Sequence, residues 1–193
     1  KVVFLPDYRV SLAERIMPAA ELSEQISLAG MEASGTGNMK FMINGALTIG
    51  TYDGANVEIH EQVGDDNMFL FGMRAEDVAR LRPSYNAREC ADKDPEIGEA
   101  LRFVKSGAIS PGDPSRYEPI LRSLLDYNDY YMLIADLRSY ADTHDKVDAT
   151  YLDRGKWNHM SLVNMARSGF FSSDRAVAEY ARNIWHVAPV MFG

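Results

Sequence analysis

Cysteine is nearly missing from this chain: Cys90 is the single one among 193 residues. One thiol excludes an internal disulfide and every cysteine-based zinc site. Histidine is sparse too, and His60, His144, His159 and His186 form neither an HExxH pair nor another two-ligand spacing, so no structural metal is expected. No run of lysine and arginine appears and the net charge is -8, which argues against a nucleic-acid partner, since phosphate backbones need a basic face. Nowhere do about 18 apolar residues run uninterrupted, and the apolar stretch Val2 to Leu5 stops at Pro6, too short for a signal peptide. These absences lead to the expectation of a soluble, cytoplasmic protein with no membrane partner. What is present is ordinary for a globular domain, 46% hydrophobic and 25% charged residues, enough for one core or a core with an appended lobe. A neutral polysaccharide is compatible with the acidic balance.

The pattern along the chain is first alternating, then helical. Val2 to Leu5 reads as a buried parallel strand, and a strand at the very terminus suggests a fragment whose natural start lies upstream. Ser11 and Glu14 form a capping box for a helix that Pro18 ends. Ile26 to Leu28 reads as a short strand, a helix runs through Phe41, Met42 and Ala46, and Leu47 to Thr51 reads as another strand. Asp53-Gly54-Ala55-Asn56 is a turn and helix cap, and Asn67 to Gly72 a last strand. Such alternation predicts a parallel sheet flanked by helices. From Arg74 onward only helical spacing remains, over Glu76 to Leu81, Glu96 to Val104, Tyr117 to Tyr131 and Asp174 to Trp185. The expected division is therefore an α/β portion, residues 1–73, and a mainly helical extension, 74–193. Tyr127, Tyr130 and Tyr131 are expected in the core or a lobe interface, and the apolar stripe Ala176, Val177, Tyr180, Ala181, Ile184, Trp185 must be buried somewhere. Asp142, Asp145 and Asp148 suit a solvated helix face, and residues 106–115, rich in glycine, proline and serine, a flexible loop.

The chemistry concentrates in Glu32-Ala33-Ser34-Gly35-Thr36-Gly37-Asn38-Met39-Lys40. Two glycines free of Cβ let several N–H groups converge on one anion at a helix start, and Lys40 follows on the first turn. An amine there, beside Met39, Phe41 and Met42, is expected to lose solvation and gain nucleophilicity, which suits a phosphorylated aldehyde. The spacing is not a Walker loop, because Phe41 rather than Ser or Thr follows the lysine, nor a dinucleotide fingerprint, which needs a small residue at Lys40. A simple helix-capping loop with a solvated lysine fits the spacing as well.

From Gln25 to Gly50 the chain closely resembles the pyridoxal-phosphate attachment region of the α-glucan phosphorylases, those of glycogen, starch and maltodextrin. The likeness extends upstream to Tyr8-Arg9-Val10-Ser11-Leu12-Ala13-Glu14, downstream to Asp53-Gly54-Ala55-Asn56-Val57-Glu58, and more weakly to Phe171-Ser172-Ser173-Asp174-Arg175. Ile43, Met31 and Pro6-Asp7 depart from the usual family residues without touching an assigned polar group. Family enzymes are several times longer, so the chain looks like their C-terminal portion.

The resemblance implies the C-terminal, Rossmann-like part of the two-domain glycosyltransferase fold (GT-B) with a helical tail. It implies reversible phosphorolysis of α-1,4-glucan by inorganic phosphate to glucose 1-phosphate, with the rest of the parent chain as partner and a homodimer as the full protein. It makes Lys40 the catalytic-site lysine that anchors pyridoxal phosphate, with Tyr8, Arg9, Gly35 and Thr36 around the cofactor. Glu32, Ala33, Ser34 and Gly35 would hold the transferred glucosyl unit, Glu32 as an orienter rather than a base. Residue chemistry alone leaves other readings open: Arg9 in a surface pair with Asp7 or Glu14, Glu32 as a helix-dipole partner, Lys40 as a surface lysine. Within the family-like segments 8–14 and 25–58 only Arg9 and Lys40 are basic, too few for two adjacent phosphates, so this piece alone is expected to be inactive. A non-catalytic assembly module, or another phosphate-ligand α/β enzyme, are the alternatives.

Overall fold

A computed structural model describes residues 1–188 and 190. Its sheet has three parallel strands in the order β1 (Leu22–Gln25), β2 (Leu47–Gly50), β3 (Phe69–Leu70). Leu22 pairs with Leu47 and Ile49 with Phe69. Each parallel step needs a crossover, supplied by α2 (Gly37–Ile43) and then α3 (Ala55–Val63). The central strand β2 is buried at all four positions, which is why its sequence reads as a continuous apolar run around Thr48. α1 (Val10–Ile16) precedes the sheet, and α4 (Ala75–Leu81), α5 (Ala87–Lys93), α6 (Pro95–Lys105), α7 (Glu118–Leu121), α8 (Leu133–Leu152), α9 (Arg154–Arg167) and α10 (Ser173–Tyr180) follow it.

Several sequence expectations shift. Residues Val2 to Leu5 form no strand; they are exposed, Val2 fully so, because no neighbouring strand is there to satisfy their backbone and an unpaired β segment has nothing to hold it. The strand expected at Ile26 to Leu28 lies instead at Leu22–Gln25, where pairing with β2 overrides the poor β propensity of Ser23, Glu24 and Gln25. Ser11 is no cap: α1 begins two residues earlier than a Ser11 cap would place it, with Arg9 at the N-cap and no side-chain hydrogen bond there. α2 stops at Ile43, before Ala46, since the Asn44 side chain donates to Lys40 O at 2.8 Å and Gly45 turns to φ +90°.

The segment Tyr117 to Tyr131 is not one helix. α7 runs into a single π turn, Arg122–Asp126, and then Asn128, Asp129 and Met132 all take left-handed backbone. That reversal is held by side chains: Asn128 accepts from Ala87 N and donates to Tyr85 O, each at 2.8 Å, while buried Asp129 accepts from Tyr85 Oη at 3.0 Å and Ile134 N at 2.7 Å. Burial and the Asp129 carboxylate push the Tyr85 phenol well above its ordinary range. The bend throws Tyr127, Tyr130 and Tyr131 outward, so they are exposed rather than in a core. The stripe carried by α10 and the π turn that continues it, Ala181–Trp185, is likewise uncovered among the described residues, with Val177, Tyr180, Ile184 and Trp185 exposed. Asp142, Asp145 and Asp148 do lie on the solvated face of α8, and residues 106–115 form irregular turns between α6 and α7.

Two helices cover the sheet, α8, of which the sequence marked only the acidic outer face, and α9, which it did not mark. Val147 of α8 and Trp157 and Met160 of α9 pack with Leu47, Ile49, Phe69 and Phe71, while Met42, Ile59, Val63 and Met68 form an adjacent cluster. The third cluster joins Leu28 and Ala29 to Val78, Ala87, Ile97 and Ile134, tying the helices after Gly72 to the loop that follows β1.

α6 is started by Asp94, whose carboxylate accepts from Glu96 N at 3.0 Å and Ile97 N at 3.3 Å, with Pro95 in the first turn. Arg138 of α8 grips the same carboxylate through two hydrogen bonds, 2.7 and 2.8 Å. That guanidinium first, and the two amides after it, pull the Asp94 carboxyl down to about 2. A depressed carboxylate stabilises the fold above its unfolded value of about 4. Thermal stability is therefore expected to fall between about pH 4 and pH 2, and Arg138→Ala should flatten that stretch of a melting-temperature profile against pH.

Candidate active site at the glycine-rich loop

Two loops meet beyond the carboxyl ends of β1 and β2, the edge where open α/β sheets present their ligands. The first leaves β1 through buried Leu28 and Ala29, turns at Gly30, and runs exposed through Glu32, Ala33 and Ser34 to Gly35. The second is the turn Tyr52–Gly54 between β2 and α3. Asp53 joins them: one carboxylate oxygen accepts from Met31 N at 3.1 Å and Glu32 N at 2.8 Å. Ala55 N donates to Ser34 O at 2.7 Å. Gly54, with φ +50° and ψ −142°, has no room for a side chain, since a Cβ there would stand 2.5 Å from Ser34 O.

Beneath this clasp a polar lattice continues. Asn38 Nδ2 donates to Asn56 Oδ1 at 3.0 Å, Asn56 Nδ2 to Thr51 O at 3.0 Å, and Thr51 Oγ1 to Ser27 O at 2.7 Å. Asn38 and Asn56 are buried, so each pairing satisfies groups that would otherwise be costly. Asp53, Asn38 and Asn56 thus set the loop, although the sequence reading left the Asp53-Gly54-Ala55-Asn56 turn without a functional role. The available signal was an Asp-Gly pair directly after an apolar strand, a position from which a carboxylate reaches a neighbouring loop.

Gly35 has φ +88°, Thr36 is the N-cap of α2 without a side-chain cap bond, and a Cβ built on Gly37 would meet nothing within 4 Å. The N–H groups of Gly37 and Asn38 have no hydrogen-bond partner among the described residues. This is a cradle able to take an anion at its amides and at the Thr36 hydroxyl.

Lys40 is exposed and has no ion pair among the described residues. The amine expected to be desolvated is therefore open within this chain, for a geometrical reason. Asn38 and Met42 form the buried face of α2, and Lys40, two residues from each, projects from the opposite side. Tyr8 and Arg9 are exposed; Arg9 pairs with Asp7 at 3.2 Å, and no hydrogen bond or ion pair links either residue to the glycine-rich loop among the described residues. The structure thus gathers Glu32, Ala33, Ser34, Gly35 and Thr36 on one exposed rim next to α2, and leaves Tyr8 and Arg9 on a separate exposed segment.

Residues 1–187 match the family model described as carbohydrate phosphorylase. The chain belongs to that family. Among its phosphorylase relatives, the glycogen phosphorylase of Chlamydia pneumoniae is 50% identical over 97% of this chain, and that of Haemophilus influenzae 52% identical over all of it. The muscle form of Mus musculus is 53% identical over 98% of the chain. The chain spans 22–24% of the length of these relatives. For a phosphorylase-family chain, the Asp53 clasp yields a direct expectation. Asp53→Ala takes the acceptor from the Glu32 amide and one of two from the Met31 amide, which also donates to Leu28 O at 3.0 Å, and should cost about 0.5–1.5 kcal/mol of stability, whereas Asp53→Asn, which keeps a carbonyl acceptor, should recover most of it in thermal unfolding.

Proposed function

We propose that this chain is the cofactor-bearing C-terminal portion of an α-glucan phosphorylase that, within a longer polypeptide, cleaves α-1,4-glucan with inorganic phosphate to give glucose 1-phosphate. The observation that carries this reading is the Asp53 clasp, which presents a Glu-Ala-Ser-Gly rim and an open amide cradle side by side at the strand ends. A sugar needs oriented hydroxyl partners and a phosphate needs converging N–H donors, and the two occur here within nine residues, from Glu32 to Lys40.

Lys40 would hold pyridoxal phosphate, and Gly35 and Thr36 its phosphate, with Tyr8 and Arg9 brought beside the cofactor in the complete protein. When bound, the cofactor would supply a phosphate that relays a proton next to the substrate phosphate. Glu32 would accept from a glucosyl hydroxyl, and the Ala33, Ser34 and Gly35 segment would offer successive amides to others. Asp53 acts one step back, as a positioning residue: it accepts from the Met31 and Glu32 amides and so holds the backbone from which the Glu32 side chain projects. Held in this way, the glucosyl ring is oriented for bond cleavage through an oxocarbenium-like state. The GT-B fold, a homodimer and a cytoplasmic setting belong to the same reading. This piece alone should be inactive, because Lys40 is the only lysine or arginine between Arg15 and Arg74.

Borohydride reduction of the full-length protein followed by peptide mapping tests the assignment. A pyridoxyl adduct on Lys40 is expected, and an unmodified Lys40 in active protein would overturn it.

A further inference from the structure

A cleft of about 330 Å³ opens between α5, α6 and the α7 segment, away from the glycine-rich loop. That volume lies in the range of small-molecule sites. Its floor is apolar, from Ala91, Leu101, Leu121 and Leu125. Its polar lining is Arg88, Arg102, Lys105 and Arg122 together with Asp92, Glu118 and Asp126, four cations against three carboxylates in a chain whose net charge is -8.

The cations differ in what they are doing. Asp126 is shared by Arg88 and Arg122, the latter at 3.9 Å, and Arg122 also donates to Tyr127 Oη at 3.0 Å. Arg102 and Lys105 have no hydrogen-bond or ion-pair partner among the described residues. Both stand in the last turn of α6, where the helix dipole favours a cation, but the dipole does not account for Arg88 and Arg122 arriving from two other elements. Guanidinium groups present paired donors that match phosphate oxygens, and an apolar floor beside them favours a ligand with a dry body.

We propose that this cleft binds a small phosphate monoester with an apolar body, its phosphate held by Arg102, Lys105 and Arg122 and its body laid over Leu101, Leu121 and Leu125. The site is separate from the one proposed for the cofactor and shares no residue with it.

Phenyl phosphate titrated calorimetrically into the full-length protein is the test, with phenol and inorganic phosphate as half-ligands. Saturable binding tighter than that of either half is expected, weakened about tenfold or more by Arg102→Glu with Lys105→Glu. All three cationic side chains are exposed, so folding should survive, and the milder Arg102→Gln with Lys105→Gln should weaken binding in the same direction with an unchanged unfolding temperature. Lys40→Ala changes no residue of the cleft, so the loss caused by the double substitutions should persist in that background. The proposal is overturned by absence of saturable binding, by equal affinity for phenol, by inorganic phosphate binding as tightly with the same loss in the double substitutions, by indifference to both double substitutions, or by loss of that dependence in the Lys40→Ala background. None of those results touches the phosphorolysis reading, which the borohydride experiment decides by itself.

Discussion

Lys40→Ala in the full-length protein is expected to abolish covalently held pyridoxal phosphate and to cut glucose 1-phosphate formation by on the order of a thousandfold or more. The size of the loss follows from the proposed role: an anchor that fixed the cofactor phosphate beside the substrate could not be replaced by loose binding without giving up orientation. The variant should nevertheless fold. Lys40 is exposed on α2, opposite the buried Asn38 and Met42, and exposed substitutions of this kind usually change stability by less than about 0.5 kcal/mol. Cofactor absorbance, activity and melting temperature measured on the same preparation separate the two effects. Near-normal activity with no cofactor signal would exclude Lys40 as the anchor.

The largest stability effect is expected at Trp157. Its side chain is 2% exposed, lies 6.3 Å from the Phe69 ring in a stacked arrangement, meets Tyr151 edge-on at 4.9 Å, and donates from Nε1 to Glu21 at 2.8 Å. One residue thereby binds α9 to β3 and to the segment entering β1. Trp157→Ala leaves a cavity between the sheet and α9 and should cost about 3–5 kcal/mol, a large share of the roughly 5–15 kcal/mol that holds a typical domain. Trp157→Phe keeps most of the ring and loses the bond to Glu21, which is half exposed and can turn to water, so a smaller loss of about 1–2 kcal/mol is expected. Denaturant unfolding followed by circular dichroism orders the three proteins. Equal stability of the alanine variant and the wild type would show that α9 is not a keystone of this sheet.

How much could be read in advance varied with the local signal. β2 was legible because four consecutive buried positions leave an apolar imprint, and α6 and α10 because Glu96 to Val104 and Asp174 to Trp185 carry helical spacing. β1 was displaced by several residues because its Ser23, Glu24 and Gln25 carry no strand signature, and only pairing with β2 makes them one. α8 was legible only at its acidic face, Asp142 to Asp148, and α9 not at all, because their exposed faces are so polar that few apolar residues mark the buried stripe. The three tyrosines after Asp126 kept helical spacing in one dimension while the left-handed backbone at Asn128, Asp129 and Met132 destroyed it in three.

The glycine-rich loop, its lysine and the family likeness were determined by sequence alone, because those features depend on residue identity and order over a short span. Which groups stand guard around that loop was decided only by the tertiary structure: Asp53 lies more than twenty residues from the amides it holds, Asn56 eighteen from Asn38, and no local periodicity encodes either meeting. The same is true of Lys40, whose solvent exposure depends on which face of α2 is packed against the rest of the chain. Local chemistry is written along the chain, whereas contact between distant segments arises only when parallel strands bring their ends to one edge.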